Sequence, residues 1–507
     1  MNREILVSMR NTIEFLKGQG EVSVVTGQVD PIYEIAGIQK ALEDGPAFLF
    51  ENIKGYPGVR DVGNLFARMD RIAKMFGEKD PKKMKFRCLE AIKNPIPSVT
   101  VGTAPCQEVV ITEGIDVMNT LPILKHTEND AGRILGGGNI FVGPKYFRGG
   151  THLSFNRTHF RGADWASIMG GPPTHLGVIA YMDHRDERIP MTINIGTPPA
   201  VNLIAGGGNV HAIIPVGTDK VAIAGGLQGF PVETVDAKTV EAQAIAQSEW
   251  VIEGYLETES VWESDAAEAS QKAGVTPFFP EWPGYLGKSY RFRKFKATAI
   301  THRKDRPIFF SPLAFSFEGT YLITVLREAM LYEIAERTIP GLVVDVNTLH
   351  GVTIQGGIIY QVKKRRPWDE GYQKNILTAA LGSTAGIRMV VVVDEDIDIY
   401  NADDVLWAIT TRVDPQTDIL SGSRGGRGTL MQPLERMGGL GGGFDGGLGI
   451  DATVPFNARE EFQRARYPVD KVDLNRWFSD ETIQKIKTSQ SEYARVLARV
   501  SGQPGLK

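Results

Sequence analysis

The 507-residue chain has only two cysteines, Cys88 and Cys106. That scarcity excludes a disulfide framework or a cysteine-based zinc site and points to a reducing compartment. Long apolar runs are also missing. No stretch approaches the roughly 18 residues needed to span a bilayer, and the N-terminus alternates charged and apolar residues instead of carrying a signal-peptide core. A cytoplasmic protein with no membrane insertion is expected. Nor is there an excess of positive charge: 56 Lys and Arg stand against 60 Asp and Glu, a formal net charge of -4. Nothing draws the whole chain to nucleic acid, so anion binding must come from local clusters. Nucleotide fingerprints are absent too. Gly206-Gly-Gly208 and the 438–449 glycines lack the strand, glycine spacing and helix of a dinucleotide fold, and no Gly-Lys-Ser/Thr ending exists. A single Arg424-Gly-Gly-Arg427 box in an acidic chain reads as a flexible loop.

What is present is ordinary globular material, 42% hydrophobic and 23% charged, long enough for several domains. Residues 1–120 read as a small α/β domain. Its first amphipathic helix runs through Leu6, Met9, Ile13 and Leu16 to a stop at Gly18, with further helices over 31–43 and 67–77 and a strand from Ala47. Residues 121–310 are short β-branched and aromatic runs, such as 139–142, 177–182 and 191–195, separated by glycine and proline. That texture predicts an antiparallel sheet or barrel, with 260–276 as an inserted loop or short helix. Residues 311–460 return to α/β: helices over 321–337, 369–381 and 401–407, strands over 341–346 and 387–393, and a glycine-rich loop over 422–449. Residues 461–507 are a tail ending in a helix over 479–500, apolar enough to pack on this chain or a partner. The basic groups Arg291, Arg293, Lys294 and Lys296, and Lys363 to Arg366, read as solvated faces.

Residues 151–176 concentrate chemistry in a hairpin-like run. They hold His152, His159 and His175, three of the eight histidines, together with Arg157 and Arg161. Histidine ligates metals or carries protons near neutral pH, and arginine offers a fixed fork of donors to phosphate or carboxylate. A site for an anionic cofactor and an anionic substrate needs both. His126, His184, His211, His302 and His350 stand in no motif.

Six further segments give the stretch a context: Ala47 to Tyr56, Ala104-Pro-Cys-Gln-Glu108, Ile189 to Ala200, Asp394-Glu-Asp-Ile-Asp398, Asp404 to Arg412 with Asp414-Pro415, and Gly449-Ile-Asp-Ala-Thr453. In this order they resemble the UbiD-type decarboxylase family over nearly the whole chain. The resemblance implies an α/β (α+β) fold in which a central split β-barrel, flavin reductase-like, binds prenylated FMN. N- and C-terminal α/β domains flank it, and a C-terminal helix serves a homo-oligomer, dimer or hexamer. It also implies reversible decarboxylation of an aromatic or α,β-unsaturated acid, with a flavin prenyltransferase supplying the cofactor. The altered acid motif and the basic clusters leave room for an aryl carboxylate joined to coenzyme A.

Carried over residue by residue, the family's Asn-x-x-x-x-Arg falls on His152 to Arg157. Arg157 would hold the substrate carboxylate and face the flavin, while Ser154, Phe155 and Asn156 would line it. His175, at the family distance from Arg157, would bind metal, with Thr174 beside it at the cofactor. A rival register uses Asn156 and Arg161. Two departures follow. The family's metal-binding Asn, His and Glu become His152, His175 and Lys220. Either a divalent metal, Mn or Fe before Mg, with K+ as an additional candidate, is held by the two histidines, the phosphate and Asp219 as a further candidate, or Lys220 replaces it. The family's acid motif is reduced to Phe278-Phe-Pro-Glu281-Trp-Pro-Gly-Tyr285. Glu281 would be the proton donor, its pKa raised by Phe279 and Trp282. Glu263 lies near the place of the first family glutamate, with a surface glutamate as the alternative. These changes also suit a non-catalytic or assembly subunit of a carboxylase. An FMN-dependent reductase on a similar barrel is a third reading.

Overall fold

Most strands between Gly138 and His302 pair into one antiparallel sheet that positions the site discussed below. The computed structural model describes residues 3–208, 210–349, 356–383, 387–421, 425–426, 444–445, 447–465, 467–468 and 471–491. His350, Arg424, Arg427, most of the glycine-rich segment and the final turns of the expected C-terminal helix lie outside the described residues. The chain divides into two units at residue 330, inside helix Phe317–Thr338.

In the first unit the main path of the sheet runs His152–Phe155, Gly138–Val142, Ile189–Ile195, Trp250–Trp262, Arg291–His302, Trp165–Ile168, Thr158–Phe160. The two end strands, His152–Phe155 and Thr158–Phe160, are separated in sequence by Asn156 and Arg157 alone. A sheet whose opposite edges are joined by two residues must curl round until those edges meet, which is how a twisted antiparallel sheet becomes a half-barrel. Ile140, Phe141, Ile193, Ile195, Val251, Ile252 and Phe295 are fully or almost fully buried in it. Beside it, Val22–Val25, Ala47–Phe50, Arg60–Gly63 and Ile308–Phe310 form a smaller sheet. The N-terminal α/β layer therefore takes its last strand from beyond the barrel, and Ile308–Phe310 pairs parallel with Arg60–Gly63.

Several elements differ from the sequence expectation. The first helix is two, Arg3–Leu6 and Met9–Gly18, because Ser8 caps the second by accepting the Asn11 N–H. The 151–176 stretch is not one hairpin: His152–Phe155 pairs with Gly138–Val142, and Thr158–Phe160 with Trp165–Ile168. Residues 177–182, expected as strand, are helical, in helix His175–Val178 and a wider turn Ile179–Asp183, started by Thr174, whose hydroxyl accepts from Gly177 N. Arg293 is not on a solvated face. It is 2% exposed and donates to the carbonyls of Ala180, His184, Glu187, Leu256 and Glu257. Residues 260–276 divide between the end of Trp250–Trp262 and helix Asp265–Ser270.

The second unit carries a sheet ordered Val343–Thr348, Gly357–Val362, Met389–Asp394, Leu448–Ala452, Ile419–Ser421. Its three middle strands are parallel and buried, as their unbroken apolar sequence requires. Leu448 and Gly449, expected in a loop, open the fourth strand. Helix Ala402–Arg412 packs Val405 and Ala408 onto this core. Lys364, expected on a solvated face, is fully buried and donates to Thr453 Oγ1 and the Val454 carbonyl. The C-terminal helix is seen as Asp480–Ser489, capped by Ser479. Among the described residues no helix is long and apolar enough to cross a membrane.

Candidate active site

Closure of the half-barrel puts Arg157 at the seam between its edges, pointing to the ends of the two longest strands. Trp250–Trp262 and Arg291–His302 pair antiparallel to their last residues, Trp262 opposite Arg291. The next pair outward is Glu263 and Tyr290, joined by Glu263 N–H to the Tyr290 carbonyl at 2.9 Å and by Tyr290 N–H to Glu263 Oε2 at 2.8 Å. Arg157 meets this carboxylate with both arms of its fork, Nε to Oε1 at 2.9 Å and Nη2 to Oε2 at 2.7 Å. Nη2 also donates to the Lys288 carbonyl at 2.7 Å, and Nη1 donates to Glu281 Oε1. The guanidinium stacks 4.5 Å over the Phe278 ring. His159 is buried with its Nδ1 2.6 Å from the Glu263 carbonyl oxygen, so it braces this strand end.

Glu281 comes from a tight loop between the two long strands. Glu281 N–H donates to the Tyr285 carbonyl, Gly284 N–H to the Glu281 carbonyl and Gly287 N–H to the Phe279 carbonyl. Gly284, at φ +86°, turns this loop, and a Cβ on Gly287 would lie 2.6 Å from Glu281 Cγ. Phe278 and Phe279 pack with Ile134 as a buried apolar cluster next to it.

The electrostatics follow from burial. Glu263 and Glu281 are 0% and 6% exposed. Burial raises both carboxyl pKa values above the ordinary 4.5, and the attraction of Arg157 only partly offsets it. Burial opposes the charge on Arg157, but the two carboxylates outweigh it and hold the guanidinium above its ordinary pKa. Two buried carboxyls therefore share one cation. Glu263 is no surface residue.

A second group lies on the same edge strand. His152 Nε2 is 2.8 Å from Ser154 Oγ, which donates to Asn156 Oδ1, and Asn156 Nδ2 donates to the Met169 carbonyl at 2.6 Å. The rings of His152 and His175 are 6.1 Å apart, and Phe147 lies 5.3 Å from each. His211, outside every motif, joins them: its Nδ1 is 2.7 Å from His175 Nε2. Lys220, first residue of helix Lys220–Gln228, is 3% exposed and donates to the Leu153 carbonyl at 2.9 Å. Thr151 ties that helix to the strand, accepting from Val221 N–H and donating to Asp219 Oδ1. Burial lowers Lys220 to about 7. Burial, then Lys220, then His211 lower His175 to about 3, and burial, Lys220 and His175 hold His152 well below its ordinary 6.5.

The sequence-predicted residues thus fall into two sets, Arg157 with Glu263 and Glu281, and His152, Ser154, Asn156 and His175 with Lys220. Thr174 spends its hydroxyl on the cap of helix His175–Val178 and on the Gly171 carbonyl. Phe155 lies in the edge strand opposite Asn139. Arg161, the rival to Arg157, is paired with Asp265 and Glu268 and reaches neither set. His211 was not legible, being 36 residues from His175 with no signal but its own identity. Fitted against a divalent metal, the second set is poor. It contains an ammonium and no carboxylate, and Asp219, the nearest acid in sequence, is committed to Ala222 N–H and Thr151. Among the described residues no group of three or more His, Cys, Asp or Glu side chains is disposed to hold a metal ion. Against a phosphate-bearing flavin the same set is apt, since it offers a lysine amine and imidazole N–H groups and no carboxylate to repel the phosphate.

Sequence-family comparison matches all three domains of 3-octaprenyl-4-hydroxybenzoate carboxy-lyase, UbiD: the N-terminal domain over residues 13–86, the Rift-related domain over 98–314 and the C-terminal domain over 320–452. Gallate decarboxylase of Lactiplantibacillus plantarum is 31% identical over 466 residues, covering 87% of this chain and 92% of its own. Anhydromevalonate phosphate decarboxylase of Methanosarcina mazei is 28% identical over 476 residues, 91% of this chain and 100% of its own. Among solved structures, the UbiD-class enzyme HmfF of Pelotomaculum thermopropionicum in complex with FMN superposes with a TM-score of 0.81 at 29% identity, covering 93% of this chain and 100% of that one. An evolved dimeric form of HmfF in complex with prenylated FMN gives 0.79 at 28%, with the same coverage. The curled barrel, the flanking layers and these matches agree, and the chain belongs to the UbiD family of carboxy-lyases.

Proposed function

We propose that this chain is a prenylated-FMN-dependent decarboxylase of a free aromatic carboxylic acid, with Arg157 and Glu281 acting on the substrate. The observation that carries the reading is the buried Arg157 fork shared between two carboxyls of raised pKa. Loss of CO2 from an sp2 carbon leaves an electron pair that no side chain can hold; when bound, the modified flavin supplies that electron sink. His152, Ser154, Asn156, His175 and Lys220 are the residues that would hold it, with Phe155 and Thr174 contributing through the backbone they occupy.

Arg157 does the orienting. Its Nη1 turns from Glu281 to the incoming carboxylate while Glu263 keeps the other arm fixed, so Glu263 is a positioning residue. Released from Arg157, Glu281 in its apolar surroundings takes up a proton. After CO2 departs, Glu281 delivers that proton to the vacated carbon, becomes a carboxylate and returns to Arg157 until solvent reprotonates it. One proton replaces one CO2, and the reverse order carboxylates. Phe278 and Phe279 favour a flat aromatic substrate. The buried, internally paired Arg293 is not free for a coenzyme A phosphate. Self-association through residues 461–507 belongs to the same reading, with Trp477 and Phe478 exposed at 59% and 45%.

The test is the chain co-expressed with a flavin prenyltransferase and assayed for CO2 release over a panel of hydroxylated aromatic acids. Expected are the mass of bound prenylated FMN, turnover of at least one acid, and loss of turnover in Glu281→Gln with the flavin retained. Plain FMN with NAD(P)H oxidation would make the chain a reductase. A flavin-free, inactive protein would make it a subunit, and full activity in Glu281→Gln would remove that residue from the reaction.

A further inference from the structure

The cluster formed by Lys220, His152, His175 and His211 differs from a metal site in the sign of its charge. Lys220 is buried at the first turn of helix Lys220–Gln228, so its ammonium and the positive end of that helix's dipole lie together, although the N–H groups of the turn are themselves taken by Thr151 and Asp219. The Nδ1 atoms of His152 and His175, on residues 1% and 4% exposed, have no hydrogen-bond partner. Buried polar atoms are normally paired, and two orphans on rings that lie within electrostatic reach of Lys220 mark a place for a group with several acceptor oxygens. A divalent cation would meet a lysine amine instead of a carboxylate and, where that amine is protonated, a repulsion at the low effective dielectric of a buried site.

We infer that Lys220 replaces the divalent cation of this site, so that the chain holds the flavin phosphate directly through an ammonium and imidazole nest and loads its cofactor without metal. This rests on the flavin reading above. The charge count supports the exchange. A glutamate with a divalent ion presents a net single positive charge to the phosphate, and one lysine presents the same. The imidazoles then serve as N–H donors, His152 fixed by Ser154 and His175 by His211.

The experiment is titration of FMN and of riboflavin into the flavin-free full chain, followed by fluorescence quenching, in chelator and again with Mn2+ or Mg2+. The expected result is FMN affinity that is the same in chelator and in metal, and tighter than that of riboflavin. Lys220→Met should weaken FMN by about 30-fold or more, the loss expected for truncating one partner of a buried charge pair, and leave riboflavin unchanged, which a folding defect would not do. Lys220→Glu should bind FMN only when Mn2+ is added. FMN affinity in the wild type that rises more than about tenfold with metal, with one metal ion per chain by elemental analysis, overturns the inference and leaves the flavin reading intact. Equal weakening of both flavins in Lys220→Met also overturns it. Failure of FMN to bind under every condition removes the flavin reading and the inference with it.

Discussion

Replacing Arg157 by methionine keeps most of the side-chain volume and removes the charge together with its hydrogen-bond donors. In the native site the guanidinium makes two bonds to Glu263, at 2.9 and 2.7 Å, one to Glu281 and one to the Lys288 carbonyl. Without it both carboxyls are stranded, and Glu263 keeps only the Tyr290 N–H. Removing one partner of a buried ion pair costs about 3–5 kcal/mol. The carboxyls can escape by protonating, which at pH 8 costs about 5 kcal/mol for a group of ordinary pKa near 4.3 and at pH 5 only about 1 kcal/mol. The sign follows: a carboxyl raised in the folded state contributes stability below its unfolded pKa and loses it as pH rises. The deficit of Arg157→Met should therefore be about 3–5 kcal/mol at pH 8 and shrink toward about 1–2 kcal/mol at pH 5. Adding Glu263→Gln and Glu281→Gln should recover most of it at pH 8. Urea unfolding of the first unit, followed by tryptophan fluorescence at both pH values, measures it. An equal deficit at pH 5 and pH 8 would show that the cost is lost packing and that the carboxyls are not electrostatically dependent on Arg157.

Glu318, fully buried, accepts N–H groups from Asn64 and Phe66, and burial pushes its carboxyl up to about 7 from 4.5. Its stabilising contribution is full below pH 4.5 and is lost toward pH 7 at about 1.4 kcal/mol per unit, so Glu318→Gln should flatten the stability slope between pH 5 and 7 in a denaturant series. Gly287→Ala places a Cβ 2.6 Å from Glu281 Cγ; turnover of an aromatic acid should fall by about 100-fold, the cost of misplacing a reacting group by about 1 Å, while flavin binding is retained. Lys364→Ala removes one donor each from Thr453 Oγ1, the Val454 carbonyl and Glu370; hydrogen exchange in Gly357–Val362 should accelerate in line with a loss of about 1–3 kcal/mol.

The domain layers and most strands were legible because their signals are local: the apolar runs at 139–142, 191–195 and 390–393 are buried strands. Arg157 and Glu281 were singled out through motif resemblance, and the structure brings the two side chains into contact, which spacing alone does not disclose. The fates of Arg293 and Lys364 were hidden because composition treats charge as solvated by default, and only tertiary carbonyls show otherwise. Residues 177–182 were misread because a β-branched and aromatic run looks the same in a strand and in a buried helix; the Thr174 cap was the available clue. The burial of Glu263 depends on Trp262 pairing with Arg291, a register that no linear reading of the 263–290 insertion discloses.

The two-residue link at Asn156 and Arg157 makes this arginine a clasp between the edges of the sheet. Its chemistry exists only once the first and last strands of a sheet spanning more than 160 residues have come together. Site assembly and barrel completion therefore depend on the same contacts, between residues more than 100 positions apart in sequence for Arg157 with Glu263 and with Glu281. A circular permutant opened between Asn156 and Arg157 would keep every side chain and lose the constraint that aims them, whereas one opened in the exposed turn near Arg185 would keep both.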